Sequence, residues 1–351
     1  MGPAPVEQVM MQVELEYRHD LLTKMFTNCY DRCAVTNKPG REEAKMTVGE
    51  NACVDRCSSK YMAVFSASEL HSATGGFNSL CLIGEGGFGK VYRAMVNLTP
   101  VAIKVLDHEG LQGLREFHNE MRLLCSIRHP NIVRLLGYAA EGHTQCLVYE
   151  LMAHGNLEEV LAGKGRARSP TLWPARVRIA TQMAYALSYL HAQGIIHRDI
   201  KPANVFLDGD ANAKLGDIGL AALDSGSSVH STNGEAVGTW SYLAPEYKAT
   251  GLASARTDVY AFGLTLLQLL TAAEHPKELV QRSQAALEGC GLGGVLDPGA
   301  GDWEPIVGER LVKLALWCAM HDAEQRPPIA AVFAELQRML RQLQLRGLEP
   351  L

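Results

Sequence analysis

His197-Arg198-Asp199-Ile200-Lys201-Pro202-Ala203-Asn204 lies between a helical stretch that ends at Leu190-His191 and the apolar run Val205-Phe206-Leu207. A loop held between a helix and a strand presents its side chains in a fixed order. Asp199 and Asn204, five residues apart, divide two tasks on it. The carboxylate can accept the proton of an incoming hydroxyl, and the amide oxygen can ligate a hard cation. Downstream, Asp217-Ile218-Gly219 supplies a second carboxylate for such a cation, and Ala244-Pro245-Glu246 closes the segment.

Upstream, Ile83-Gly84-Glu85-Gly86-Gly87-Phe88-Gly89-Lys90-Val91 fits G-x-G-x-x-G-x-V. Glycines let backbone N–H groups approach phosphates with no Cβ in the way, although tight hairpins are also glycine-dense. A dinucleotide-binding turn needs a helix directly after the glycines, whereas Val91-Tyr92-Arg93-Ala94 continues as a strand. Val101-Ala102-Ile103-Lys104 ends a second strand-like run with a lysine. Glu120 follows on a helical segment, on the face of Leu124. A Lys104–Glu120 pair would hold the ammonium at nucleotide phosphates, and the motif spacing favours Glu120 over Glu116.

Together these five motifs, in this order, resemble eukaryotic protein kinases over about Phe65 to Leu343. The resemblance implies an α+β, two-lobed fold: a lead-in at 65–81, then a kinase domain at 82–345, with a β-rich N-lobe at 82–150 and a helical C-lobe at 151–345. Lys201 is similar to the serine/threonine branch. The lead-in Phe65-Ser66-Ala67-Ser68-Glu69-Leu70 resembles plant receptor-like kinases, as do Leu147-Val148-Tyr149-Glu150 and Asp258-Val259-Tyr260-Ala261-Phe262-Gly263. With no ectodomain or spanning helix in the sequence, the likeness is to a receptor-like cytoplasmic kinase.

What this implies for function is transfer of the ATP γ-phosphate to Ser or Thr hydroxyls of protein substrates, with Mg²⁺, under an upstream receptor or kinase. Catalytic roles fall to Asp199, Lys104, Lys201 and Glu120. ATP would be covered by Gly84, Glu85, Gly86, Gly87, Phe88 and Gly89, and its adenine enclosed by Val91, Ala102 and Phe206. Glu150 and Met152 would offer hinge backbone groups beside a bulky Tyr149, and Asn204 and Asp217 would hold the metal. Leu124, Leu135, His197 and Ile218 would form an apolar spine anchored by Asp258, and Glu246 would pair with Arg326. Ile218 replaces the usual phenylalanine of D-F-G; it is apolar but smaller and stiffer, which tunes the position.

Arg198 beside Asp199 suggests control by an activation-segment phosphate, which can make charge-assisted contacts with it. Ser225, Ser227, Ser228, Ser231, Thr232 and Thr239 are the candidates, and the spacing to Ala244-Pro245-Glu246 favours Ser231 or Thr232.

Residues 1–64 read differently. Val9 to Cys33 contains no Gly or Pro and repeats apolar residues at helical spacing, and a second, shorter helix is predicted from about Glu50 to Met62. Cys29 and Cys33, then Cys53 and Cys57, form two C-x-x-x-C pairs, each on one helical face. Stacked disulfides, a zinc site or four reduced thiols are all open. The segment resembles the small Tim chaperones of the mitochondrial intermembrane space, with a truncated second helix. That likeness carries a redox or chaperone role in the intermembrane space as one alternative; for the kinase-like part, the alternative to an active cytoplasmic enzyme is an ATP-binding pseudokinase or scaffold. The other cysteines (Cys81, Cys125, Cys146, Cys290, Cys318) stand singly among apolar neighbours and read as small core residues.

Composition sets the outer bounds. Of 351 residues, 47% are hydrophobic and 20% charged, enough apolar surface for a large core and incompatible with a mostly disordered chain. A net charge of −5 argues against nucleic acid or anionic membrane as the main partner. The most apolar stretch, Ala261 to Ala273, is too short to span a bilayer. Gly2 is followed by Pro3, and Val6 stands where a myristoylation signal wants Ser or Thr.

Overall fold

The computed structural model describes residues 63–86, 89–106, 111–141, 144–164, 172–223, 229–230, 236–276 and 278–349. The cysteine pairs and both helices expected before residue 63 lie outside the described residues, as do Gly87, Phe88, Ser231 and Thr232. The chain divides into two units. One runs through Ile127 and adds Arg134–Glu150; the other takes Arg128–Val133 and everything from Leu151.

The first unit is built on a six-stranded sheet with order β1-β5-β6-β4-β3-β2. Its strands are β1 (Ala63–Val64), β2 (Leu82–Gly86), β3 (Gly89–Val96), β4 (Thr99–Val105), β5 (Leu135–Glu141) and β6 (Thr144–Glu150). Helix α1 (Ala67–Ala73) precedes β2, and α2 (Leu111–Ser126) links β4 to β5. Ser66 caps α1 by accepting from the Glu69 N–H at 3.1 Å. The helix drives the fully buried Leu70 into a core shared with Val101, Ile103, Cys146 and Val148. The lead-in is thus part of the sheet's own core.

That continuity begins earlier than the sequence suggests. Ala63 and Val64, assigned from sequence to the hairpin, pair in parallel with Gly137 and Tyr138 of β5. Phe65 N–H then donates to the Tyr138 carbonyl at 2.9 Å. A Cβ on Gly137 would stand 2.3 Å from the Ala63 carbonyl oxygen and 2.4 Å from the Phe65 ring, so only glycine admits the incoming strand.

The β3–β4 hairpin closes through Asn97-Leu98, with φ of 48° and 61° and Val96 paired to Thr99. This two-residue turn requires left-handed backbone at both positions, where Asn-Gly is the preferred pair. Leu98 fills the second position while 95% exposed, so its side chain returns no packing for the strain. Leu98→Gly is expected to raise stability by about 1 kcal/mol. Thermal unfolding of parent and variant checks this, with a midpoint rise of about 2–4 °C expected.

The second unit is helical. Its elements are α3 (Leu157–Leu161), α4 (Trp173–Ala192), α5 (Pro245–Thr250), α6 (Ala255–Thr271), α7 (Leu279–Ala285), α8 (Pro305–Cys318) and α9 (Ile329–Leu345). Short pairs of strands punctuate it: β7 (Ile195–Ile196) with β10 (Ala222–Leu223), β8 (Val205–Leu207) with β9 (Ala213–Leu215), and β11 (Val229–His230) with β12 (Leu252–Ala253). Helix α4 packs against α9, and α6 against α8. Arg176, almost fully buried, ties α4 inward through the Leu269 carbonyl at 2.8 Å and an ion pair with Asp297.

Cys125, Cys146 and Cys318 are buried as expected, whereas Cys81 is half-exposed. Burial pushes the Cys146 thiol up to about 12, so it behaves as a small apolar residue at neutral pH. Among the described residues no helix is long and apolar enough to cross a membrane.

Candidate active site

In the first unit, β2 and β3 bring the glycine string together as a hairpin, with Gly84 opposite Val91 and Gly86 opposite Gly89. Gly89 sits at φ 121°, and a Cβ there would fall 2.1 Å from the Val105 carbonyl oxygen. The close approach of β3 to β4 thus dictates this glycine independently of any ligand. Glu85 and Lys90, both exposed, face one another at 3.6 Å. Lys104 lies opposite Val91 on one side and Leu147 on the other. Its ammonium is 3.0 Å from Glu120 Oε2, with the glutamate side chain only 2% exposed. Val91 and Ala102 are half-buried on adjacent strands, and Tyr149 is buried opposite Ala102. Glu150 ends β6, its N–H donating to the Arg134 carbonyl and its carboxylate accepting from the Arg134 N–H. Leu124 and Leu135 are both buried.

In the second unit the loop after β7 is fixed from below. Asp258 of α6, 1% exposed, accepts from the backbone N–H groups of His197 and Arg198, each at 2.8 Å, and lies 2.9 Å from His191 Nε2. Those bonds compensate a carboxylate that would otherwise be costly to bury. Arg198 has φ 69°, and its Nε donates to the Leu220 carbonyl at 2.7 Å. Burial lowers its guanidinium pKa, with Tyr247 and Asp258 opposing that pull. His197 is fully buried, with Nε2 3.2 Å from the Gly216 carbonyl.

Above this base Asp199 is surrounded by donors. Oδ1 accepts from the N–H of Thr239 at 2.9 Å and from its hydroxyl at 2.8 Å. Oδ2 accepts from Asn204 Nδ2 at 2.9 Å and is 2.8 Å from the Lys201 ammonium. Lys201 closes the ring by donating to Thr239 Oγ1 at 2.7 Å. Asn204 Nδ2 also donates to the Asp199 carbonyl at 2.9 Å, which commits its amide nitrogen and turns Oδ1 the other way. Asp217 lies at φ 55°, beside a fully buried Ile218. Asn204 and Asp217 are hard oxygen donors of the type that suits Mg²⁺. Phe206 is half-buried on β8 opposite Lys214, and Met152 is half-buried with its carbonyl accepting from the Gly155 N–H.

The sequence pattern does not single out the contact that Thr239 makes with Asp199. That threonine was one of several phosphate-acceptor candidates, yet its hydroxyl is engaged with Asp199 and Lys201. The only linear signal was its position five residues before Ala244. Glu246 and Arg326 form a two-pronged pair at 2.6 and 2.8 Å, with Arg326 buried.

Comparison with known proteins matches residues 77–336 to the family model described as protein tyrosine and serine/threonine kinase. Residues 7–70 match the Tim10/DDP family zinc finger. The two matched ranges stop short of each other, but residues 63–70 of the second are built into the sheet and core of the first unit. Among curated relatives, the probable serine/threonine-protein kinase PBL26 of Arabidopsis thaliana is 45% identical over 59% of this chain and 51% of its own. U-box domain-containing protein 33 of the same plant is 40% identical over 77% of this chain and 32% of its own. The EPD1-interacting receptor-like cytoplasmic serine/threonine-protein kinase 5D of Gossypium barbadense is 37% identical over 79% and 64%. The aligned part of this chain therefore spans from about a third to about two thirds of these relatives' length.

Proposed function

The chain belongs to the protein tyrosine and serine/threonine kinase family, and from that premise we propose that it transfers the γ-phosphate of ATP to serine or threonine hydroxyls of protein substrates. The observation that carries this reading is the ring around Asp199. One carboxylate is held by Thr239, Asn204 and Lys201 at 2.8 to 2.9 Å, and Lys201 also donates to Thr239 Oγ1 at 2.7 Å. Such a carboxylate is fixed in direction, which suits it to orient an incoming hydroxyl and accept its proton.

The remaining roles follow from the same reading. Gly84, Glu85, Gly86, Gly87, Phe88 and Gly89 cover the phosphates, and Lys104, oriented by Glu120, neutralises their charge. Val91, Ala102 and Phe206 take the adenine, and Glu150 and Met152 offer it backbone groups. Lys201 steadies Asp199 and the transferring group. Asn204 and Asp217 would hold Mg²⁺, which supplies charge neutralisation on the phosphates when bound. We assign residues 82–345 to the catalytic domain with its lead-in at 65–81, and activation-segment control to Ser231 or Thr232 acting through Arg198. The compartment we assign is the cytoplasm, in keeping with the name of the cotton relative.

The test is transfer of labelled phosphate from ATP, with Mg²⁺, to a panel of generic protein acceptors and to the chain itself, followed by phosphoamino-acid analysis. Label on serine and threonine is expected. Label on tyrosine alone, or none that depends on Asp199, defeats the reading.

A further inference from the structure

Trp240 is the most exposed tryptophan among the described residues, at 68%, and it directly follows the threonine that grips Asp199. A large apolar ring left in water is an unusual expense next to a catalytic group. It is also held in place. Trp240 opens a single 3₁₀ turn whose end is fixed by the Leu243 N–H donating to its carbonyl. From α5, the Lys248 ammonium lies 5.3 Å from the centre of the ring. Among the described residues the Lys248 ammonium has no carboxylate partner, and it lies against the ring.

Neighbouring Cα atoms are about 3.8 Å apart, and an extended peptide advances about 3.3–3.6 Å per residue. A substrate whose hydroxyl reaches Asp199 therefore passes Trp240 within about two residues of the acceptor, by the same chain arithmetic. There it meets a flat apolar face with a cation above it. An aromatic face satisfies the charge of an ammonium only in part, and its three N–H donors are better matched by an anion.

The geometry points to Trp240 and Lys248 as a substrate-selecting pair that favours an anionic side chain, carboxylate or phosphate, within two residues of the acceptor hydroxyl and disfavours lysine or arginine there. The inference rests on the kinase reading and adds the chemistry of the substrate to it. Lys248 provides the charge. Trp240 supports the peptide and holds the lysine stem away from solvent, where partial burial lowers the ammonium's pKa.

The experiment uses the full chain and a set of peptides with one acceptor serine. Asp, phosphoserine, Ala or Lys is placed in turn at each of the two positions on either side. For the parent, kcat/KM at one of these positions is expected to favour Asp over Lys by about fivefold to tenfold, the scale of a partly exposed ion pair. Lys248→Ala is expected to bring that ratio to near one, and Lys248→Glu to invert it, through KM more than kcat. Lys164→Ala, which removes an equal charge at another exposed site, keeps the parent's ratio. Preference for phosphoserine well above Asp identifies a pre-phosphorylated substrate, and equal preference a plain acidic one; both support the pair. A parent that phosphorylates the Ala peptides with no charge preference overturns this inference and leaves the kinase reading intact. So does a preference that survives Lys248→Glu. No phosphate transfer to any peptide or to the chain itself overturns both readings.

Discussion

Asp199→Asn is expected to lower kcat for phosphate transfer by about 10²–10⁴-fold, the contribution usual for a positioned general base. The structure makes the isosteric change unusually severe. Oδ1 faces two donors from Thr239, and Oδ2 faces donors from Asn204 and Lys201. Whichever way an asparagine turns, its NH₂ points at a donor, so the variant loses the charge and also opposes its own neighbours. The change leaves the 3.0 Å contact of Lys104 with Glu120 untouched, and nucleotide affinity is expected to hold within about twofold when only the transition state loses an interaction. Initial-rate kinetics beside a separate nucleotide-binding titration check both halves. A variant that turns over at the parent's rate removes Asp199 from the base role.

The second large effect concerns stability. Glu246→Ala leaves Arg326 without its carboxylate. The Arg326 guanidinium is fully buried, bonded also to the carbonyls of Met320, Arg256 and His321 and placed 4.9 Å from the centre of the Tyr260 ring. Those carbonyls take three of its five N–H hydrogens, while the two that bonded Glu246 and the net charge are left behind. Breaking a buried pair by removing one partner costs about 3–5 kcal/mol. Glu246 is 32% exposed, so water screens part of the loss and the lower end, about 3 kcal/mol, is expected. Urea unfolding of parent and variant at neutral pH reads this directly. A change under about 0.5 kcal/mol, the usual size for a surface substitution, would show that the pair contributes nothing.

Much of this was legible in the sequence because chemistry restricts the residues at each step. The order Gly84 to Gly89, Lys104, Glu120, Asp199 to Asn204 and Asp217 admits few substitutes. The long helices were legible because each buries one face over several turns, as α9 does with Ile329, Val332, Leu336, Met339 and Leu343. What escaped was set by distant partners. Thr239 shows its role only when placed against Asp199, forty residues away. Strand β1 has two residues and no periodicity, and it exists because β5 is there to receive it. The turn at Leu98 escaped for a different reason, since leucine there contradicts the local preference that would have announced a tight hairpin.

The glycine at 137 has a consequence for anyone who shortens this protein. Ala63 and Val64 cover the outer side of β5, and the missing Cβ at Gly137 is what lets them come so near. A chain trimmed to start at Phe65, where the kinase-like sequence begins, would uncover a row of unpaired N–H and C=O groups along β5. Bare sheet edges of this kind recruit strands from other molecules. The shortened protein would carry its own nucleation point for clumping, and a cut placed a few residues before Ala63 would not.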